Sequence, residues 1–163
     1  MAAGATYTPI ATQTVSVAAT IVTFASINSS FTDLIIVANT TNSINTDTWI
    51  RFNGDSGTNY SSTYIRGDGT SALSGRRSSF NRILIEENGT GTNIDMTRVH
   101  VQNYTNTSVY KTIISRSDAA SNGISAIAGL WRNTAAISQI DIGADSGTFA
   151  IGSTFTLYGI SSA

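Results

Sequence analysis

Residues 49–71 have the sequence WIRFNGDSGTNYSSTYIRGDGTS. Two strand-like runs, Thr48–Asn53 and Thr63–Arg66, flank a turn composed almost entirely of Asn, Gly, Asp and Ser. Glycine accepts positive φ without steric cost, and Asn and Asp side chains hydrogen-bond to nearby backbone, so this composition favours a turn. The stretch therefore predicts a β-hairpin in which the second run is the antiparallel partner of the first.

The same succession of short apolar runs and polar turns continues from Thr14 to Ile160. The run Leu34–Val37 is typical of a buried central strand because it is short, continuous and rich in β-branched residues. No segment shows the periodicity and caps of a helix. Roughly eight to ten strands at this spacing predict an all-β, single-domain fold, a two-sheet antiparallel sandwich that is jelly-roll-like.

One run alternates strictly between two kinds of residue. Met96, Arg98 and His100 occupy every second position, and Val99 and Val101 occupy positions between them. Successive side chains of a strand point to opposite faces, so the two sets are predicted to lie on opposite sides of a sheet.

Two segments are predicted to lie outside the sheets. Residues 1–13 are small and polar and include Pro9, the only proline, so they predict an extended N-terminal arm, with residues 14–163 forming the sandwich. Residues 67–79 are rich in Gly and Ser and predict a loop. Each segment is interpreted either as a contact with a neighbouring subunit or as a solvated terminus or loop. The candidate interface residues are Tyr7, Pro9, Ile10, Arg76 and Arg77.

Charge is sparse and unusual in kind. Charged residues make up 12% of the chain, against roughly a quarter in an ordinary globular domain. Lys111 is the only lysine, and Glu86 and Glu87 are the only glutamates. Lys and Glu are depleted at interfaces, whereas Arg is enriched there. Two interpretations stay open: a β protein without helical surface, or a surface that contacts other subunits.

Composition also excludes several classes of function. The chain has no cysteine and therefore neither a disulfide nor a thiolate nucleophile. With a net charge of −1 it lacks the basic surface of a nucleic-acid-binding protein. No apolar run approaches the length of a membrane span, and no signal peptide is evident at the N-terminus. Nucleic acid and membrane are therefore not expected as partners.

Candidates for catalysis are few. His100 is the only histidine, and the chain has no Gly-x-Ser-x-Gly motif that would supply a nucleophile. Glu86 and Glu87 are adjacent, so in a strand they point to opposite faces and do not form a facing carboxyl pair. We therefore expect no catalytic residue and predict that the protein is not an enzyme.

Two binding hypotheses come from the turn-rich segments. Asn53, Asp55, Asn59 and Asp68 supply oxygen atoms of the kind that Ca²⁺ prefers, but they lack the spacing of an EF-hand and are common in turns for local reasons. No metal and no cofactor are therefore expected. A sugar-stacking surface is the second hypothesis, set against the more usual placement of strand aromatics in cores and interfaces. The aromatic residues concerned are Trp49, Tyr60, Tyr64, Trp131 and Tyr158.

Five segments resemble a group of small virion proteins of tailed bacteriophages. They are Tyr7–Thr12 (YTPIAT), Phe31–Val37 (FTDLIIV), Ile50–Asp55 (IRFNGD), Asn59–Ser61 (NYS) and Gly152–Ile160 (GSTFTLYGI). The resemblance extends over nearly the whole chain, and its motifs are structural rather than catalytic. In such phages similar β-sandwich units are either head decoration (cement) proteins or domains of tail fibres.

The resemblance implies a virion structural protein that forms a homotrimer. The chain has its own Met1 and no coiled-coil or triple-helical shaft, which favours a decoration protein over a fibre. The expected location is the capsid exterior, and the expected partners are the major capsid protein and further copies of the chain. The alternative is a tail-fibre or adhesion module that binds host surface glycans.

Overall fold

Within residues 6–87, 89, 91–119 and 123–161, which the structure describes, the computed structural model contains twelve β-strands. The strands are β1 (Tyr7–Thr14), β2 (Ile21–Phe24), β3 (Asp33–Thr40), β4 (Thr48–Phe52), β5 (Tyr60–Gly67), β6 (Ala72–Phe80), β7 (Ile83–Glu86), β8 (Asp95–Gln102), β9 (Lys111–Ala119), β10 (Gly123–Trp131), β11 (Ile140–Ala144) and β12 (Thr154–Ile160). They form an eight-stranded sheet in the order β1-β12-β3-β8-β9-β10-β5-β6 and a four-stranded sheet in the order β2-β11-β4-β7. The all-β, two-sheet antiparallel prediction is confirmed.

The connectivity is that of a jelly roll with additional strands. Along the chain, β1, β3, β8 and β12 enter the larger sheet, while β2, β4, β7 and β11 enter the smaller one. In both sheets a strand from near the C-terminus lies between two strands from the N-terminal part of the chain. In the larger sheet β12 separates β1 from β3, and in the smaller sheet β11 separates β2 from β4. This interleaving is the Greek-key arrangement of jelly rolls. The strands β9, β10, β5 and β6 then extend the larger sheet beyond β8.

Apolar side chains from the inner faces fill the space between the sheets. On β8, Val99 and Val101 are fully buried and their neighbours in sequence face outward, so the predicted alternation is confirmed. Phe52, Tyr60 and Trp131 form an aromatic cluster in which the Tyr60 and Trp131 rings stack with centroids 6.2 Å apart. Aromatic burial of this extent contributes strongly to core stability. Among the described residues no helix has the length and apolar character needed to cross a membrane.

The predicted hairpin over residues 48–66 is wrong, because β4 and β5 lie in different sheets. Asn53 and Gly54 do form a tight turn with left-handed φ values of 52° and 68°. The chain then continues to Tyr60 and crosses the core. The Tyr60 hydroxyl accepts a hydrogen bond from the Phe52 backbone N–H at 3.2 Å and ties the two sheets together at this point. Burial of both aromatic side chains between the sheets outweighs local hairpin pairing.

The N-terminal segment is part of a sheet rather than an arm from Tyr7 onward. Residues 7–14 form β1, which pairs with β12 along its length, from Tyr7 opposite Ile160 to Thr14 opposite Thr154. The register shifts by a bulge after Pro9. Proline is tolerated at a sheet edge because the absent N–H would face solvent there. Residues 1–5 of the predicted arm lie outside the described residues.

Most of the segment 67–79 is strand rather than the predicted loop, and only residues 68–71 form a turn. Ala72–Phe80 forms β6, the edge strand next to β5. An edge strand pairs on one side only, so polar residues and glycine are compatible with it even where their local preference favours a loop. Pairing with β5 therefore outweighs the turn-forming composition of this segment.

Candidate interaction surface

The outward side of the eight-stranded sheet presents apolar side chains on four adjacent strands. Met96 on β8, Ile114 on β9, Ile124 on β10 and Ile65 on β5 are 53%, 52%, 68% and 60% exposed. The register places Met96 and Ile124 both opposite Asp118, which fixes them on the face that points away from the core. We call these four residues the outer-face band. Asp118 lies between Met96 and Ile124 in this register, and Ile114 lies two rows further along the sheet, beyond Arg116, so the band is a set of exposed apolar side chains on one face and not a continuous patch.

A groove of about 710 Å³ is lined by three members of the band, Ile65, Met96 and Ile124, at the end of the sheet where β8 and β10 begin. It lies on an open sheet face, so it suits an extended chain better than an enclosed small molecule. The residues that give it its chemical character are Val37, Ile65, Met96, Arg98, Arg116 and Ile124.

Tyr7, a candidate interface residue, belongs to this same face. Arg98 Nη2 donates a hydrogen bond to the Tyr7 hydroxyl at 2.6 Å, and the Tyr7 ring meets the Tyr158 ring edge-on. Pro9 is exposed on the same strand, whereas Ile10 is half-buried and packs against the core. Of the three candidate interface residues in the N-terminal segment, Tyr7 and Pro9 are therefore accessible to solvent.

Arg76 and Arg77 lie on β6, at the opposite edge of the eight-stranded sheet from Tyr7. Arg76 is exposed. Arg77 forms an ion pair with Glu87 and stacks over the Tyr64 ring at 4.8 Å. Burial lowers the pKa of Arg77, but the hydrogen bond and the charge of Glu87 outweigh it and hold the pKa above its usual value. The structure thus does not bring the two groups of candidate residues together.

His100 is paired with a carboxylate and not with a hydroxyl. Its Nε2 lies 2.8 Å from Asp33 Oδ2, while Asp33 Oδ1 accepts the backbone N–H of Asn103 at 2.7 Å. Within the described part of the chain, His100 makes no hydrogen bond to Ser or Thr. The pair connects the end of β8 to the start of β3.

The two glutamates have separate environments. Glu86 is fully buried on β7, where its Oε2 accepts a hydrogen bond from Thr48 Oγ1 at 2.6 Å. Glu87 is engaged with Arg77. The adjacent carboxyl groups thus make contacts with different parts of the fold.

Asp55, one of the oxygen-bearing residues considered for Ca²⁺, accepts three hydrogen bonds within the protein. It accepts from Trp131 Nε1 at 2.7 Å, from the backbone N–H of Gly57 at 2.8 Å and from Asn59 Nδ2 at 2.9 Å. Burial raises the pKa of Asp55, but these hydrogen bonds outweigh it and leave the pKa below its usual value. The carboxylate therefore joins the 53–59 turn to β10.

The other members of that cluster also stabilise turns. Asp68 Oδ1 accepts from the backbone N–H groups of Thr70 and Ser71, and these hydrogen bonds lower the pKa of Asp68 to about 2. Asn53 Oδ1 accepts from the backbone N–H of Ser138 at 2.9 Å. Across the ranges that the structure describes, no group of three or more His, Cys, Asp or Glu is arranged to hold a metal ion.

The proposed sugar-stacking aromatics do not form an exposed platform. Tyr60, Trp131 and Trp49 are 0%, 1% and 5% exposed. Tyr64 and Tyr158 are half-buried and lie on different strands. The aromatic side chains therefore contribute mainly to packing.

The outer-face band was not predicted from the sequence. Alternation placed Met96, Arg98 and His100 on one face, but it did not show that this face is exposed or which residues of other strands share it. That information depends on the order of the strands in the sheet, because Ile65 and Met96 come from strands separated along the chain by more than 20 residues.

No protein-family model matches the chain, and no curated protein matches it significantly. The resemblance to virion proteins thus rests on the five segments quoted above.

Proposed function

We propose that this protein is a bacteriophage virion structural protein, a capsid decoration (cement) protein that stabilises the head by bridging capsid subunits. The observation that carries the proposal is the outer-face band of Ile65, Met96, Ile114 and Ile124, each more than half exposed on adjacent strands. Covering such a band removes apolar surface from water, at about 25 cal/mol per Å². The phage setting and the homotrimer come from the sequence resemblance.

The edges of the sheet support docking through its face. On β1, Pro9 and the bulge after it interrupt the edge, and on β6 the edge contains Arg76 and Arg77. Proline, bulges and charged side chains are the features by which sheets avoid edge-to-edge pairing. Docking through the outer face of this sheet is therefore favoured over pairing at its edges.

Binding to an assembled shell stabilises it by mass action, because a ligand that binds only the assembled state shifts the equilibrium toward that state. A rigid jelly-roll unit that spans two capsid subunits has this effect without any chemical reaction.

The test is the heat stability of heads that lack the protein and are then reconstituted with purified protein. Wild-type protein is expected to raise the temperature at which heads release DNA. Ile124→Asp, in the band, is expected to bind weakly and to give no increase. Ile151→Asp is the matched control, since Ile151 is 71% exposed outside the band. Unchanged head stability at full occupancy by wild-type protein would contradict the cement proposal.

The homotrimer is tested by light scattering on the purified protein, with an expected mass of three times 17.1 kDa. The alternative of an adhesion module on the tail would gain support if the protein bound host polysaccharide and left head stability unchanged.

A further inference from the structure

Two arginines face each other in the groove of the outer face. Arg98 on β8 and Arg116 on β9 are direct cross-strand partners, and both are exposed. Their neighbours in the same row are apolar, with Val37 opposite Arg98 and Ala126 opposite Arg116. Like charges directly opposite each other destabilise an antiparallel pair. In the free protein, this arrangement therefore does not stabilise the sheet.

The pair is not neutralised within the described residues. Arg98 is bonded to the uncharged Tyr7 hydroxyl, and Arg116 makes neither a hydrogen bond nor an ion pair there. Asp118 lies two residues beyond Arg116 and also lines the groove; among the residues that the structure describes it makes no ion pair, and its Oδ1 accepts the Met96 backbone N–H at 3.2 Å. Arg66 also borders the groove, but it alternates with the outward-facing Ile65 along β5, so its side chain belongs to the other face. The groove thus combines an excess of positive charge with an apolar floor.

We propose that this groove binds an extended acidic segment of a partner polypeptide, with an Asp or Glu carboxylate held between Arg98 and Arg116 and apolar flanking residues on the outer-face band. Arginine suits this role because its planar fork binds a carboxylate bidentately. The contact between Tyr7 and Arg98 holds one of the two guanidinium groups in place before binding. The inference deepens the proposed function, on which it rests for the identity of the partner as a capsid subunit.

The size of the band fits a short extended segment. Strands in a sheet lie about 4.8 Å apart, so the distance from β8 to β5 across β9 and β10 is about 14 Å. An extended chain covers that distance with about four or five residues. A free inorganic anion would satisfy the arginines but would leave Ile65, Met96 and Ile124 exposed to water.

A second copy of this chain is a poor occupant because its carboxylates are already engaged. Asp33 bonds to His100, Asp141 accepts from Thr23, and Glu87 pairs with Arg77. The remaining acidic residues among the described ranges also have partners in the chain. A carboxylate supplied by a second copy would first have to leave one of these contacts.

The test is an NMR titration of the isolated, isotopically labelled protein with the capped peptide Thr-Val-Glu-Val-Thr. The amide signals of Arg98, Arg116 and Ala126 are expected to shift. The matched peptide Thr-Val-Gln-Val-Thr should bind at least about tenfold more weakly, as should the Glu peptide to Arg116→Gln protein. Arg51→Gln, on the other sheet, is the control and should bind the Glu peptide like wild type.

A second readout is independent of any ligand. If the two guanidinium groups repel each other, Arg116→Gln should raise the Tm of the free protein by about 1–3 °C. A lower Tm in this variant would contradict the repulsion on which the proposal depends.

Three other results would overturn the proposal. Equal binding of the Glu and Gln peptides would exclude the carboxylate. Equivalent shifts with sodium sulfate, with no additional affinity for the peptide, would show an anion site only. Concentration-dependent shifts of the band without peptide would show that a second copy occupies the groove. Because the titration uses isolated protein, binding here with no effect on heads would reject the cement function and leave the groove assignment intact.

Discussion

At the scale of single residues, Glu86 makes stability depend on pH. Its side chain is fully buried, Oε2 accepts from Thr48, and Oε1 has no hydrogen-bond partner. Burial raises the pKa of Glu86 from 4.5 to about 7; the nearby carboxylates of Asp95 and Asp47 add to this increase, and the Thr48 hydrogen bond opposes it. The protonated acid is therefore the form that the folded state favours.

The sign of the pH effect follows from this increase in pKa. The folded state holds the Glu86 proton up to about pH 7, whereas the unfolded chain releases it near pH 4.5. The stabilisation is thus complete below pH 4.5 and is lost as pH rises through 7. We predict that the free energy of unfolding decreases by on the order of 3 kcal/mol over that interval.

Urea denaturation at a series of pH values measures this decrease. Glu86→Gln, which keeps the shape without the charge, should be nearly independent of pH between 5 and 8, within roughly 0.5 kcal/mol. A wild-type stability that does not change in that interval would show that the carboxyl is ionised in the folded state or is solvated.

At the scale of the elements, Gly143 sets the packing on the outer side of the four-stranded sheet. Gly143 on β11 lies opposite Trp49 on β4, and a Cβ atom built at Gly143 would lie 2.1 Å from Trp49 Cζ2. The indole is held in place because its Nε1 donates to the Ala144 carbonyl at 3.2 Å and Arg51 stacks over the ring at 4.6 Å. The absence of a side chain at Gly143 is therefore required by the position of Trp49.

Gly143→Ala is predicted to destabilise the protein by about 1–3 kcal/mol, because the added methyl group must displace the indole. Thermal unfolding followed by near-UV circular dichroism would report both the stability and the Trp49 environment. Gly67→Ala is the matched control, since its Cβ would meet nothing closer than the Ser71 carbonyl at 3.6 Å. Equal Tm values for the two variants would be inconsistent with this packing.

The sequence predicts the positions of individual strands better than it predicts which strands pair with each other. The run Leu34–Val37 and the alternation around Val99 are local patterns, and both appear in the structure as predicted. The composition of the edge strands β1 and β6 predicts an arm and a loop, because pairing on one side allows a polar composition that resembles a loop. The pairing of β4 and β5 was predicted wrongly, since turn composition does not indicate to which sheet the next strand goes.

At the scale of the whole molecule, the candidate site is a property of the sheet and not of any motif. Ile65, Met96, Ile114 and Ile124 are unremarkable in the sequence, and only the order β8-β9-β10-β5 and the register place them on one face of adjacent strands. The same holds for Arg98 and Arg116, which are brought together by the register of β8 and β9. Of the residues proposed from the sequence, Tyr7 is the one that the structure joins directly to this surface.

The choice of cross-linking chemistry for this protein is limited by its only lysine. Lys111 is fully buried, and its Nζ donates to the backbone carbonyls of Asn106, Val109 and Thr134. Amine-reactive reagents will therefore not report neighbours through this side chain while the protein is folded. A photoreactive residue placed on the outer-face band avoids this limitation.

The most direct measurement is photo-cross-linking of intact particles that carry p-benzoylphenylalanine in place of Ile124, followed by mass spectrometry of the products. The cement proposal predicts covalent products with the major capsid protein from position 124 and few or none from the exposed control position Ile151. Products that contain only tail proteins, or only further copies of this chain, would contradict it.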